Sequence, residues 1–316
     1  YTVPDFAFGR FGSNRIRLVS VLCVLLTSMF YIAPQMYGAG TTWGVLVGQG
    51  FLGLSPYMTG VVVVGAIMMF YVAMGGMKGT TLNQIFQFWW LMFAMILVVS
   101  FAFGNGFGYP RVLAEESDSV ILNTKAMSVA DATAVNPDTG AAPIDAAETV
   151  MAPESFAEVE ATIDEGDPDA TVALVLPAKN KLHETREMLF NEPGARYNAF
   201  DQFSMVLALV LGTAGLPHIL NRYYTNPSGA AARRSTFWVL VFIGTFYILA
   251  PIAGLAGLNF IKDAAATGSY TGNAALVDGL LLRSDAVMPT IGELLGGEWL
   301  LGIVSAGAFA AMFSTL

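Results

Sequence analysis

The chain has 316 residues, of which 55% are hydrophobic and only 12% charged, with a mean hydropathy of +0.59. Soluble domains average about 25% charged residues, so the composition reads as an integral membrane protein and excludes a soluble enzyme. The formal net charge of −9 offers no basic surface for nucleic acid. The single cysteine, Cys23, lies in an apolar run and allows no disulfide within the chain.

About 20 apolar residues span a bilayer as a helix, and six stretches meet or approach that length. In chain order they are Leu18–Gly48, overlong and expected to tilt or bend near Pro34, then Tyr57–Gly75 and Gln84–Phe103. Phe203–Leu220 follows, then Thr236–Phe260 with Pro251 inside, and a last span from near Trp299. The chain opens Tyr1-Thr2-Val3-Pro4, without a signal-peptide pattern, and closes inside an apolar run. It reads as a piece of a longer chain, cut at both ends.

Charge sets the expected orientation. Arg10, Arg15, Arg17, Lys78, Arg222, Arg233 and Arg234 fall before the first span, between spans two and three, and between spans four and five. Asp5 is the one acid on that side. Cytoplasmic loops carry the Lys/Arg excess, so residue 1 faces the cytoplasm of a multi-pass plasma (inner) membrane protein and residues 104–198 face out. Three parts are expected: spans in 1–103, an acidic extracytoplasmic loop over 104–198, and spans in 199–316.

The outer loop holds 17 acids and six bases between residues 104 and 197, so all of the chain's net negative charge resides there. Low hydrophobicity with high charge favours disorder or weak local helix, with 154–163 and 184–190 as short helical candidates. Two readings stand: a solvated insertion without chemistry, or a vestibule that concentrates cations. The acidic run Asp164-Glu165-Gly166-Asp167-Pro168-Asp169 lacks the spacing of a calcium loop. In the next outer loop, 261–298, residues 285–295 read as a short helix near the surface.

Enzyme motifs are missing. The two histidines, His183 and His218, fall on opposite sides of the membrane, which removes a His-based metal site or triad. Gly104-Asn105-Gly106-Phe107-Gly108 follows a span rather than a strand and is no phosphate loop.

Chemistry therefore falls to polar groups inside the spans. Gly212-Thr213-Ala214-Gly215-Leu216-Pro217-His218 is poor material for a continuous helix. Breaks in membrane helices are tolerated where protein or a water-lined cavity satisfies the backbone, and they point to transporter binding sites. A small anion fits a half-helix end there, with Gly212, Thr213, Ala214 and Gly215 as candidates; a kink that only packs is the other reading. No span carries a mid-membrane charge, so a cation must use neutral oxygens. Ser314 and Thr315, with the carbonyl of Ala311 one turn back, form the best candidate. Back-bonding of each hydroxyl to its own helix is the alternative. Gln35, beside Pro34, and Asn83, Gln84 and Gln87 are further polar positions, the span-three amides reading as packing or an exit path.

Four stretches together resemble the sodium:solute symporter family, most closely its acetate/monocarboxylate permease branch. They are Tyr1-Thr2-Val3-Pro4-Asp5-Phe6 with Arg10-Phe11, Gly75 to Gln84, Gly212 to His218 with Arg222, and Ala310 to Leu316. The resemblance covers nearly everything except the acidic loop. It implies an all-α membrane protein of LeuT-type fold, with two inverted five-helix repeats, of which this chain covers core helices three to eight. It implies a sodium ion at the Ala311 carbonyl and the Ser314 and Thr315 hydroxyls, and substrate at the Gly212–Gly215 break. The implied activity is symport of a short monocarboxylate such as acetate across the bilayer. Many relatives carry an aspartate on the cation's inward path where Gln84, beside Asn83, stands here. Proton coupling, another solute such as proline or sugar, a channel, and a transporter-like sensor remain as alternatives.

Overall fold

The computed structural model describes residues 2–116, 122–135, 140–177, 198–216, 219–220, 226–270 and 274–315. They form an all-α membrane architecture with a small extramembrane α/β elaboration. Among the described residues five helices are long and apolar enough to cross a membrane: Asn14–Leu46, Pro56–Gly76, Lys78–Gly104, Gly229–Ala266 and Ser284–Ser314. The chain divides into two units. The first comprises Tyr1–Met92, Asn198–Leu249 and Ala308–Leu316; the second comprises Phe93–Tyr197 and Ala250–Gly307.

The first unit opens with α1 (Val3–Phe11). Thr2 and Asp5 cap it reciprocally, and Gly12 ends it in the left-handed conformation. Asp5 also pairs with Arg17 of α2 (Asn14–Leu46) at 2.8 Å, which fixes the corner between the two helices. Pro34 sits inside α2 without ending it. The apolar side chains of Leu22, Leu25, Leu26, Met29 and Phe30 stand exposed along α2, a surface suited to hydrocarbon.

Helix α3 spans Pro56–Gly104 and is broken at Gly76, whose φ of 51° and ψ of −156° belong to a region open essentially to glycine alone. The break separates the second span from the third. Helices α2 and α3 approach closely at Gly40 and Gly60: a Cβ on Gly60 would lie 2.5 Å from the Cβ of Trp43. Beyond the break, Phe88 and Trp89 pack their rings on Phe242 of α9 (Gly229–Ala266), with centroids 5.4 and 5.5 Å apart.

The fourth expected span, Phe203–Leu220, is shorter than its apolar run. Helix α8 (Ala199–Gly215) begins on an Asn198 cap and stops where Leu216 turns extended, φ −60° and ψ 126°. Leu216 precedes Pro217, and proline disfavours helical backbone in the residue before it.

In the second unit, Val98, Ala102, Phe107 and Val112 bury against Leu255, Ala256, Ile291, Leu300 and Val304. Helix α10 (Val287–Thr315) is broken at Gly297, φ 66° and ψ −158°. The expected short helix over 285–295 is thus the first arm, 287–296, and the last expected span is the second arm.

The acidic segment departs from the expectation of disorder or weak local helix. After α4 (Tyr109–Glu115), β1 (Leu122–Ser128) pairs antiparallel with β2 (Thr171–Pro177), Leu122 opposite Pro177 and Ser128 opposite Thr171. Between them lie α5 (Val129–Thr133), α6 (Pro143–Glu148) and α7 (Pro153–Asp164). Met127, Val129, Ala132, Ala147, Met151, Val159, Val172, Leu174 and Val175 form its core. Average composition concealed the pattern: the charges lie on solvent faces while a few apolar positions converge. Helix α7 covers the first short helical candidate; the second, 184–190, lies outside the described residues. A second hairpin, β3 (Leu276–Val277) with β4 (Leu280–Leu281), docks here. Asp278 accepts from the Ala152 amide at 2.9 Å, and the Thr124 hydroxyl donates to the Leu281 carbonyl.

Candidate functional site

The end of α10 carries the cation-site candidates. Small residues at Ala308, Ala310 and Ala311 precede them, and the helix runs on through Ser314 to Thr315. Ala311 and Ser314 are half-buried. The Ser314 hydroxyl donates to the Ala311 carbonyl at 2.9 Å. This is the geometry of a back-bond, and it also brings two of the three expected sodium oxygens to one point on the helix. The side chain of Thr315 lies outside the described residues.

Two side chains of α3 close on the same turn. Tyr71 Oη donates to the Phe313 carbonyl at 2.6 Å, and Gln84 Nε2 donates to the Ser314 carbonyl at 2.6 Å. The Tyr71 and Phe313 rings also meet edge to face, centroids 6.2 Å apart. On a straight helix, residues 71 and 84 would stand roughly 20 Å apart at 1.5 Å per residue. They reach adjacent carbonyls because α3 folds back at Gly76. The sequence placed Gln84 on an exit path; the structure puts it beside the candidate sodium ligands, with Asn83 half-buried next to it. Tyr71 was missed. A tyrosine in an apolar run carries no spacing signal, and only the fold shows what its hydroxyl meets.

One turn beyond Gln84, Gln87 is 7% exposed, and its Oε1 has no hydrogen-bond partner among the described residues. Gln35 is half-buried in α2. Among the described residues no cluster of three His, Cys, Asp or Glu side chains is placed to hold a metal.

The anion-site candidates Gly212, Thr213, Ala214 and Gly215 form the last turn of α8. Gly212 and Gly215 are exposed, and the side chains of Thr213 and Ala214 lie outside the described residues, as do Pro217 and His218. Past the break, the amides of Ile219 and Leu220 both donate to the Leu216 carbonyl, at 3.0 and 3.1 Å. The C-terminal turn of a helix carries the negative end of its dipole. Any carboxylate at this break must therefore rely on local donors rather than on the field of α8.

Comparison with known proteins bears on what this arrangement serves. The family model described as Sodium:solute symporter family matches residues 1–152 and 167–316. The chain is 29% identical over 318 residues to the uncharacterized symporter YwcA of Bacillus subtilis (strain 168). It is 28% identical over 324 residues to a monocarboxylic acid transporter of Corynebacterium glutamicum. All of this chain aligns in both cases, and it spans 46% of each relative, about half their length. No solved structure matches it significantly.

Proposed function

The chain belongs to the sodium:solute symporter family, and on that premise we propose that it forms part of a secondary active transporter, not an enzyme, that couples inward sodium flow to uptake of a short monocarboxylate such as acetate. The observation that carries the sodium assignment is the convergence of the Ala311 carbonyl and the Ser314 hydroxyl, 2.9 Å apart, on a braced turn of α10. Thr315, next on that turn, is the third proposed ligand. Sodium takes hydroxyl and carbonyl oxygens without a full counter-charge, in keeping with the second arm of α10, whose only charged residue is Glu298 at its start.

The carboxylate is assigned to the Gly212–Gly215 break, with the Thr213 hydroxyl as donor. The name of the Corynebacterium relative supports this solute class. The basic loops support an arrangement in the plasma membrane with residue 1 cytoplasmic and 104–198 outside.

The test is uptake of labelled acetate into vesicles holding the intact transporter that contains this chain, with and without an inward sodium gradient. Sodium-dependent accumulation is expected. Uptake indifferent to sodium but driven by a proton gradient would transfer the coupling to protons. No acetate uptake beside robust uptake of proline or a sugar would change the solute.

A further inference from the structure

We infer that Tyr71 and Gln84 are positioning residues for the sodium site, each holding one main-chain carbonyl of the turn that presents the ligands. The inference rests on the sodium reading of Ala311, Ser314 and Thr315. Ala311 supplies a main-chain oxygen, and Ser314 supplies a side-chain oxygen whose direction follows from its backbone. The turn must therefore hold its place within a few tenths of an ångström for the oxygens to meet one ion.

Two 2.6 Å hydrogen bonds fix it. Tyr71 Oη takes the carbonyl of Phe313, and Gln84 Nε2 takes that of Ser314. The donors come from opposite sides of the Gly76 break, so the two arms of α3 grip consecutive peptide units of α10. Both bonds are part-buried, where a hydrogen bond is electrostatically stronger than in water. An amide at position 84 does what a carboxylate there would not: it donates to a carbonyl rather than repelling it. A neutral side chain thus braces the site without adding a counter-charge.

The experiment compares sodium activation of acetate uptake in the intact transporter and in its Tyr71→Phe, Gln84→Leu and Ser314→Ala variants. The sodium concentration for half-maximal uptake is expected to rise about two- to tenfold in Tyr71→Phe and in Gln84→Leu. The maximal rate at saturating sodium should stay within about twofold, and lithium should discriminate less sharply from sodium. A merely structural role would lower the amount of folded transporter and the maximal rate together, with sodium dependence unmoved. Sodium-dependent thermal stabilisation of each purified variant supplies a second reading where uptake is too weak to fit. If Ser314→Ala raises the sodium requirement and either positioning variant leaves it unchanged, the brace is overturned. If Ser314→Ala itself leaves sodium dependence unchanged, the site falls, and the inference falls with it.

Discussion

The hydroxyl of Ser314 donates to the carbonyl of Ala311 at 2.9 Å, so the two oxygens proposed as sodium ligands are within reach of each other. If the proposed ion binds there, the hydroxyl proton must turn away so that both oxygens face it. A hydrogen bond to a charged group contributes about 1.5–3 kcal/mol, roughly ten- to a hundredfold in affinity. Ser314→Ala is expected to raise the half-saturating sodium concentration by that order, and Ser314→Thr to restore most of it. Sodium titration of uptake checks both. An unaltered titration in Ser314→Ala would leave the hydroxyl as a back-bond and nothing more.

Gly297 breaks α10 with a backbone that side chains rarely adopt, and nothing lies within 4 Å of a Cβ built on it. Gly297→Ala therefore costs backbone strain rather than a clash, about 1–3 kcal/mol. Gly302, five residues on, is helical, exposed and equally open. Gly302→Ala should be neutral or stabilising by about 0.5–1 kcal/mol. Thermal unfolding of the two purified variants should move in opposite directions.

The extramembrane domain has a core of its own. Leu174 is fully buried on β2. Leu174→Ala should cost about 2–5 kcal/mol of local stability. Limited proteolysis should then cut faster within 122–177 and no faster in the membrane helices. A solvated insertion would show no difference between variant and parent.

Asp278 ties that domain to the second hairpin. Its carboxylate accepts from the Ala152 amide at 2.9 Å, and its φ of 53° is tolerated better by aspartate and asparagine than by alanine. Asp278→Ala should speed amide exchange across 122–177 and 276–281 about tenfold or more, equivalent to roughly 1.4 kcal/mol. Asp278→Asn, which keeps an acceptor and the backbone preference, should lie near the parent.

Asp5 gives the corner between α1 and α2 a pH dependence. Hydrogen bonds from the Thr2 side chain and backbone, aided by Arg17, hold its carboxyl below the usual carboxylate range. A depressed value in the folded state means the capping contribution is present above the unfolded value, about 3.9, and is lost as pH falls through the folded value. The cap should thus be intact at neutral pH and fray only in acid. Asp5→Asn should fray it at pH 7, seen as faster amide exchange at Asp5 and Phe6 in the variant alone.

The sequence by itself determined the class of the protein and the position of five of the six expected spans. Runs of about 20 apolar residues have one stable arrangement in hydrocarbon, because each helix satisfies its own backbone. The stop of α8 before Pro217 and the small-residue run ahead of Ser314 were equally local, and so they were legible. The tertiary structure alone decided what lies far apart in sequence and close in space. Tyr71 and Gln84 reach neighbouring carbonyls only because Gly76 folds α3 back on itself, and that glycine looked no different from Gly75 beside it. The acidic loop is the same case in another solvent. Its charge predicted a loose chain, yet Leu174, Val159 and Ala147 bury one another once β1 pairs with β2. Composition averages over faces, whereas burial depends on which faces meet.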